Sequence, residues 1–326
     1  MLADIHQSIA ATRVDLREVG LREVLQSHGS VLETSEKVEI FNRLRDAGCR
    51  EMNVVAFVNP NKMPQMADTE AFLRSLGEAR AGTTLSGLVP NERGLDRALA
   101  MRQEGLLDTG LLVFSESSAT LSANGMDANH DALIAKIERW AGTAADAGLK
   151  ISVFVSASYG CSIEGPIDPA RVVEHASHLR SLRGVNEVII SDSTGQADPL
   201  QVLDLLSRLA EHLPVDQRLG LHFHDTRGAG LANLFAALLS PFQHVVVDTA
   251  FGGWGGDWPF VPDAFGNVAT EDVVEMLVGV GLDVGVDVGK IMELTAFYAE
   301  RSGRPVAAKL TDAKPIAWKR LARSYR

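Results

Sequence analysis

Two rhythms of apolar and polar positions alternate along this chain. Short runs rich in Val, Ile, Leu and Phe are followed by longer stretches in which apolar residues recur every three to four positions. The short runs lie at residues 14–19, 51–57, 83–88, 110–114, 150–155, 187–191, 219–224 and 244–248, and each predicts a β-strand. Between them, residues 35–47 put Ile40, Phe41, Leu44 and Ala47 on one side of a helix, and residues 230–239 do the same with Leu231, Leu234, Phe235 and Leu238. Asp198 followed by Pro199 reads as an N-cap with proline at the first helical position. Eight strand–helix units in this length is the arithmetic of an α/β TIM (β/α)8 barrel; an open doubly wound sheet shares the alternation. On the barrel reading, residues 1–282 form the catalytic domain and residues 283–326 a C-terminal helical extension. Its tail carries Lys314, Lys319, Arg320, Arg323 and Arg326. It is expected to close the barrel as a surface helix, the other reading being a lid that touches an anionic substrate.

The seventh run holds the first chemistry. Leu219, Leu221 and Phe223 alternate with Gly220, His222 and His224, so both imidazoles share one face of a strand. Histidines so placed either meet one metal ion or are satisfied by hydrogen bonds within the sheet. In a TIM barrel, functional groups sit where the strands end. Those ends read Arg22-Glu23, Asn59, Pro90-Asn91, Ser115-Glu116, Ser156 and Asp192-Ser193, then the histidines, then a Gly-rich stretch at 252–266 followed by Asn267. Glu23 can complete a two-histidine, one-carboxylate set, which favours Mg2+ or Mn2+ over Zn2+; otherwise it is a surface carboxylate. Arg22 can hold a carboxylate or an enolate oxygen, or can pair with Glu18. Asp192 is a candidate base, a partner behind the site, or a helix cap. Gln26, Asn59, Ser156 and Ser193 are expected to contact substrate. The glycines of the 252–266 stretch predict a mobile cover. Its Trp254 and Trp258 either stack on substrate or anchor the loop to the rim.

Composition narrows the partners. With 326 residues, 46% of them hydrophobic, the chain can bury a large core. A formal charge of −11 argues against nucleic acid or an anionic membrane and leaves a small-molecule substrate. Two distant cysteines, Cys49 and Cys161, suit a reducing compartment and offer no thiolate metal site. The first twenty residues lack a basic start followed by an apolar run, and no apolar stretch is long enough to span a bilayer. A cytoplasmic homo-oligomer is expected.

Several segments then resemble one family, the DRE-TIM metallolyases, and within it the 3-hydroxy-3-methylglutaryl-CoA lyase branch. LREVLQ (21–26) is similar to RDGLQ, FVNPNKMPQMAD (57–68) to FVSPKWVPQMAD, and FVSASYGCSIEG (154–165) to YVSCxxGCPYEG. SDSTG (191–195) is similar to GDTIG, LHFHDTRG (221–228) to HCHDTYG, FGNVATEDVVEML (265–277) to SGNLATEDLVYML, and SGRPVAAK (302–309) to SGRPxxSK. The resemblance implies a TIM barrel whose divalent cation is held by Glu23 (Asp in the family), His222, His224 and Asn267. Arg22 would stabilise an enolate, and Asp192 would fill the acidic position on the sixth strand. It implies a metal-dependent carbon–carbon lyase running retro-aldol or retro-Claisen chemistry on a 3-hydroxy acid or 3-hydroxyacyl-CoA. A condensing acyltransferase or aldolase running the reverse direction is the alternative, and a non-catalytic barrel kept for binding or assembly is the third reading. Two departures stand out. The lyase's GGCPY loop cysteine is absent here, where the chain reads Gly255-Gly256-Asp257-Trp258-Pro259-Phe260, and Asn53 stands where the lyase has Glu. Asp257 becomes the candidate proton donor, Trp258 a substrate contact, and the substrate is expected to differ from 3-hydroxy-3-methylglutaryl-CoA.

Overall fold

The computed structural model describes residues 2–27, 29, 31–256 and 266–313. Eight parallel strands close into a barrel in sequence order. They are β1 (Arg13–Glu18), β2 (Glu51–Ala56), β3 (Thr84–Leu88), β4 (Thr109–Ser115), β5 (Lys150–Ser156), β6 (Val185–Asp192), β7 (Leu219–Phe223) and β8 (His244–Thr249). Closure is made by β8 on β1, in register from Arg13 opposite His244 to Glu18 opposite Thr249. Every predicted strand is present. Their signal follows from the architecture, since the strands are covered by helices outside and several are filled with apolar side chains within. The first strand ends sooner than its apolar pattern predicts. After Glu18 the chain turns at Val19 into the helix Gly20–Gln26, which carries Arg22 and Glu23. Asp198 caps its helix as expected, accepting from the Leu200 and Gln201 amides in a full capping box.

The barrel interior is divided. On the β8–β1–β2 side, and at β6, it is ionic. Arg17, only 1% exposed, donates to Asp248 at 2.6 Å, to Glu187 at 2.7 Å and to Glu51 at 3.3 Å, while Arg218 pairs with Glu187 and Glu51. On the β4–β6 side the interior is apolar, with Leu111, Phe154 and Ile189 packed as one buried cluster. Gly220 on β7 is where Ile189 fills the lumen. A Cβ there would lie 2.6 Å from the Ile189 side chain, so only glycine fits.

The C-terminal region packs into this body. Helix Val288–Ser302 buries Val288, Ile291, Leu294, Thr295 and Tyr298, and it lies against helices Thr34–Asp46 and Thr270–Gly279. The chain then returns across the loop that leaves β8. Ala307 donates to the Gly252 carbonyl at 3.0 Å, the Trp254 indole donates to the Pro305 carbonyl at 2.7 Å, and Asp272 accepts the Lys309 and Leu310 amides. The basic tail residues Lys314, Lys319, Arg320, Arg323 and Arg326 lie outside the described residues.

Two buried carboxylates hold the first turn of the same loop. Glu18 accepts from Gly20 N, Phe251 N and the Thr270 hydroxyl, and Glu271 accepts from Gly252 N and the Thr295 hydroxyl. Burial outweighs these bonds and raises Glu18 to about 8 and Glu271 to about 7, from an ordinary value of 4.5. A folded state that holds its protons more tightly than the unfolded chain has this stability in full below the unfolded pKa of 4.5, and loses it as pH rises through 7 and 8. In metal-free buffer the melting temperature should therefore fall from about pH 5 to about pH 8 and level off above that. Glu18→Gln should flatten that fall, because the amide replaces the protonated acid without titrating. A variant whose melting temperature follows the wild-type pH curve throughout removes Glu18 from this role.

Candidate active site

The carboxyl ends of the strands surround a cavity of about 170 Å3, lined by Arg22, Glu23, Gln26, Ser27, Leu88, Val113, Asn124, Phe154, Ser156, Ser191, Ser193, His222, His224 and Gly256. The alternation along β7 puts His222 and His224 on the lumen side, both 5% exposed. Their Nε2 atoms face each other at 3.1 Å. Glu23 arrives from the helix after β1, and the ligand atoms of these three residues all lie within 4.8 Å of one another. Asn267 returns from beyond the loop, bridges to His224 along the backbone, and donates its Nδ2 to Glu23 Oε2 at 2.7 Å and to the Trp254 carbonyl at 3.0 Å. Its buried Oδ1 has no hydrogen-bond partner among the described residues. Two imidazole nitrogens and a carboxylate within reach of one point, with the Asn267 amide bonded to that carboxylate, fit a divalent cation with mixed nitrogen and oxygen ligation.

The electrostatics prepare the same site. Burial alone raises the Glu23 carboxyl, but the Arg22 guanidinium, the two imidazoles and the Asn267 amide outweigh it and hold the group at about 2. Burial and the neighbouring His222 push His224 down to about 3, so its ring is neutral. Burial lowers His222 too, yet Glu23 and Asp248 outweigh it and raise this imidazole above its ordinary value. Its Nδ1 lies 3.0 Å from Asp248 Oδ2, while Asp248 Oδ1 accepts from Arg17. A carboxylate behind a ligating histidine fixes the ring and its tautomer, leaving Nε2 as the free electron pair. Arg22 Nη2 meets Glu23 Oε1 at 2.6 Å, and its guanidinium lies 6.0 Å from the Phe154 ring centroid. The partner of Arg22 is thus Glu23 and not Glu18.

The other expected residues separate. Gln26, Ser156 and Ser193 line the cavity, and Gln26 Oε1 is buried without a hydrogen-bond partner among the described residues. Asn59 is exposed and accepts from the Asn61 amide in a surface turn. Asp192 follows Ser191 on β6 and therefore faces away from the lumen, where its two oxygens accept from the Gln196 and Ala197 amides at 3.0 Å each. Asn91 caps a helix, and Glu116 pairs with Arg171 and His175. Trp254 is fully buried against Phe251 and Tyr298, so it anchors the loop. Asp257 and Trp258 lie outside the described residues. Sequence reasoning passed over Asp248, Ser191 and Arg17. Their only signal was parity, since Asp248 shares a strand face with His244 and Val246 and opposes His222 across the ladder.

Known proteins resemble this chain in sequence and in fold. The HMGL-like family profile matches residues 13–297. The chain is 35% identical over 312 residues to (R)-citramalyl-CoA lyase of Chloroflexus aurantiacus, covering 93% of this chain and 95% of that one. It is 32% identical over 301 residues to mitochondrial hydroxymethylglutaryl-CoA lyase of Bos taurus, covering 92% and 89%. The structure resembles that of an HMG-CoA lyase from Acinetobacter baumannii in complex with coenzyme A and 3-methylmalate, with TM-score 0.84, 28% identity and coverage of 94% and 96%.

The dependence of His222 on Asp248 gives a direct test. Asp248→Asn should weaken Mn2+ binding by about 10–100-fold in a calorimetric titration, because the ring loses the carboxylate that fixes it. The variant should also melt earlier, since Arg17 loses a buried charge partner. Unaltered Mn2+ affinity in a folded variant would show that the ring is oriented by other means.

Proposed function

The chain belongs to the HMGL-like family of metal-dependent carbon–carbon lyases, and from that premise we propose that it cleaves a 3-hydroxyacyl-CoA thioester at the C2–C3 bond. The observation that carries this reading is the convergence of Glu23, His222 and His224 beside Arg22, with the Asn267 amide bonded to Glu23. We assign Glu23, His222, His224 and Asn267 to a divalent cation, Mg2+ or Mn2+ by the hardness of the donors. Bound there, it polarises substrate oxygens and makes a hydroxyl easier to deprotonate.

The chain's own groups do the rest. The carbinol O–H gives up its proton and its oxygen becomes the carbonyl of one product. The C2–C3 bond breaks, its electron pair passes to the thioester α-carbon as an enolate, and one returned proton completes the acyl-CoA product. Arg22, buried and preorganised by Glu23, offers its guanidinium to the enolate oxygen. Gln26, Ser156 and Ser193 orient the substrate from the cavity wall. Asp192 positions the turn after β6 through its amide contacts. Asp257 and Trp258 enter the proposal from sequence alone, as proton donor and substrate contact. A reducing, cytoplasmic setting fits two free, buried cysteines, and no helix among the described residues is long and apolar enough to cross a membrane.

The reading is tested by incubating the protein and Mn2+ or Mg2+ with citramalyl-CoA and with 3-hydroxy-3-methylglutaryl-CoA and following the short acyl-CoA released. No release from either thioester with either ion sinks it. Arg22→Lys should lower turnover by about 10²–10³-fold, as loss of an oxyanion-type donor does, with metal affinity little changed. Near-normal turnover in that variant would make Arg22 structural.

A further inference from the structure

The cavity wall holds hydroxyls that the ligand set leaves unused. Among the described residues lining it, four carry one: Ser27, Ser156, Ser191 and Ser193. Ser27 donates its proton to the Glu23 and Val24 carbonyls at 3.0 and 3.1 Å, so its hydroxyl is spent on the helix. Ser191 and Ser193 are bonded to each other, Oγ to Oγ, at 3.1 Å. They stand two residues apart where β6 ends, and both face the lumen. The pair has a direction. Ser191 is 2% exposed and lies opposite His222 in the β6–β7 ladder. Ser193 is half-buried and accepts the Ala157 amide at 3.4 Å. The GDTIG motif that residues 191–195 resemble has glycine in place of Ser191 and threonine in place of Ser193. The inner hydroxyl is thus this chain's own, joined to an outer one that the motif keeps.

We propose that Ser191 and Ser193 form a two-hydroxyl path that carries the carbinol proton from the substrate to solvent. The inference rests on the lyase reading and deepens it by naming the group that takes this proton. Among the described residues, the other acid–base groups around the cavity are engaged. His222, His224 and Glu23 are assigned to the cation, and Glu23 also holds Arg22 and Asn267. Asp192 looks away from the lumen onto two amides. A hydroxyl both accepts and donates, so it can take one proton while releasing another. The carbinol proton passes to Ser191 Oγ as the Ser191 proton passes to Ser193 Oγ and the Ser193 proton to a water at the cavity opening. That water becomes hydronium. The electron pair left on the carbinol oxygen forms the new carbonyl as the C2–C3 bond breaks. Both serines are neutral before and after, and rotation of their O–H bonds resets the path. No serine alkoxide forms, so the weak acidity of an isolated hydroxyl does not block the transfer.

Single-turnover cleavage separates this role from binding. The substrate is whichever of citramalyl-CoA and 3-hydroxy-3-methylglutaryl-CoA the wild type cleaves faster with Mn2+. Ser191→Ala and Ser193→Ala should each lower the cleavage rate by about 10²-fold, the lower range of what positioned proton transfer contributes. The double variant should be no slower than either single one, because a path broken at one link is already broken. Ser193→Thr keeps a hydroxyl and should be impaired far less than Ser193→Ala. In mixtures of H2O and D2O the wild-type rate should fall along a curve, as when several protons move together, and the alanine variants should lose that curvature. Mn2+ affinity measured by calorimetry should be the same in all of them, whereas serines that merely prop His222 would lower it when removed. Wild-type cleavage rates in both alanine variants, losses that add in the double variant, or a fall in Mn2+ affinity that matches the loss of rate overturns the path and leaves the lyase reading intact. Cleavage of neither thioester by the wild type overturns both together.

Discussion

Asp248 joins the charged floor of the barrel to the chemistry at its mouth. One of its oxygens receives the buried Arg17 guanidinium and the other holds His222. Neither interaction stands alone. Arg17 is tolerable inside the barrel only because Asp248, Glu187 and Glu51 surround it, and those acids hold its charge firmly against burial. Breaking such a buried set by removing one member typically costs about 3–5 kcal/mol, since the remainder keeps its charge without a partner. The orientation of the His222 ring is thereby tied to barrel closure, because Asp248 and Arg17 come from the two strands that seal it. A barrel that did not close at β8 and β1 would have no correctly aimed His222.

The division of the interior has a related logic. Charges that fix the histidines occupy the β8–β1 side, and the apolar block occupies the β4–β6 side. The cavity opens where the two meet. Low dielectric on one face strengthens the interactions of Arg22 and Glu23 on the other, and burial does not neutralise Glu23 because its neighbours are cationic or hydrogen-bonding.

Much of this was legible in the chain. The eight strands were, because they are covered on both faces and their apolar runs are long. So was the pairing of His222 with His224, since strand parity forces a shared face, and the Arg22-Glu23 pair, since strand ends carry function in a barrel. Asn59, Asn91, Glu116 and Asp192 were not distinguishable beforehand. Asn and Asp serve equally well as caps, turn formers and site residues, and the choice depends on which face of the strand looks inward. At β7 the histidines declare that face. At β6 nothing in the sequence says that Glu187, Ile189 and Ser191 look inward and Asp192 outward. The Arg17–Asp248 contact joins residues 231 apart in sequence, and pattern within a short window holds no trace of it. The clamp of Glu18 and Glu271 on the loop after β8 is hidden for the same reason.

The neck of that loop has one more implication. Gly255 and Gly266 approach so closely that a Cβ on Gly266 would lie 1.8 Å from the Gly255 carbonyl oxygen. Next to them Asn267 bonds the Trp254 carbonyl. The two ends of the 257–265 segment are thus tied to each other and to the barrel before the segment begins. Its length and composition are freed from the geometry of the asparagine that follows it. Insertions, deletions and exchanges between the two glycines can accumulate without moving Asn267, which makes this neck the place where a lineage can acquire new chemistry in small evolutionary steps, and a natural junction for recombining the loop of one relative with the barrel of another.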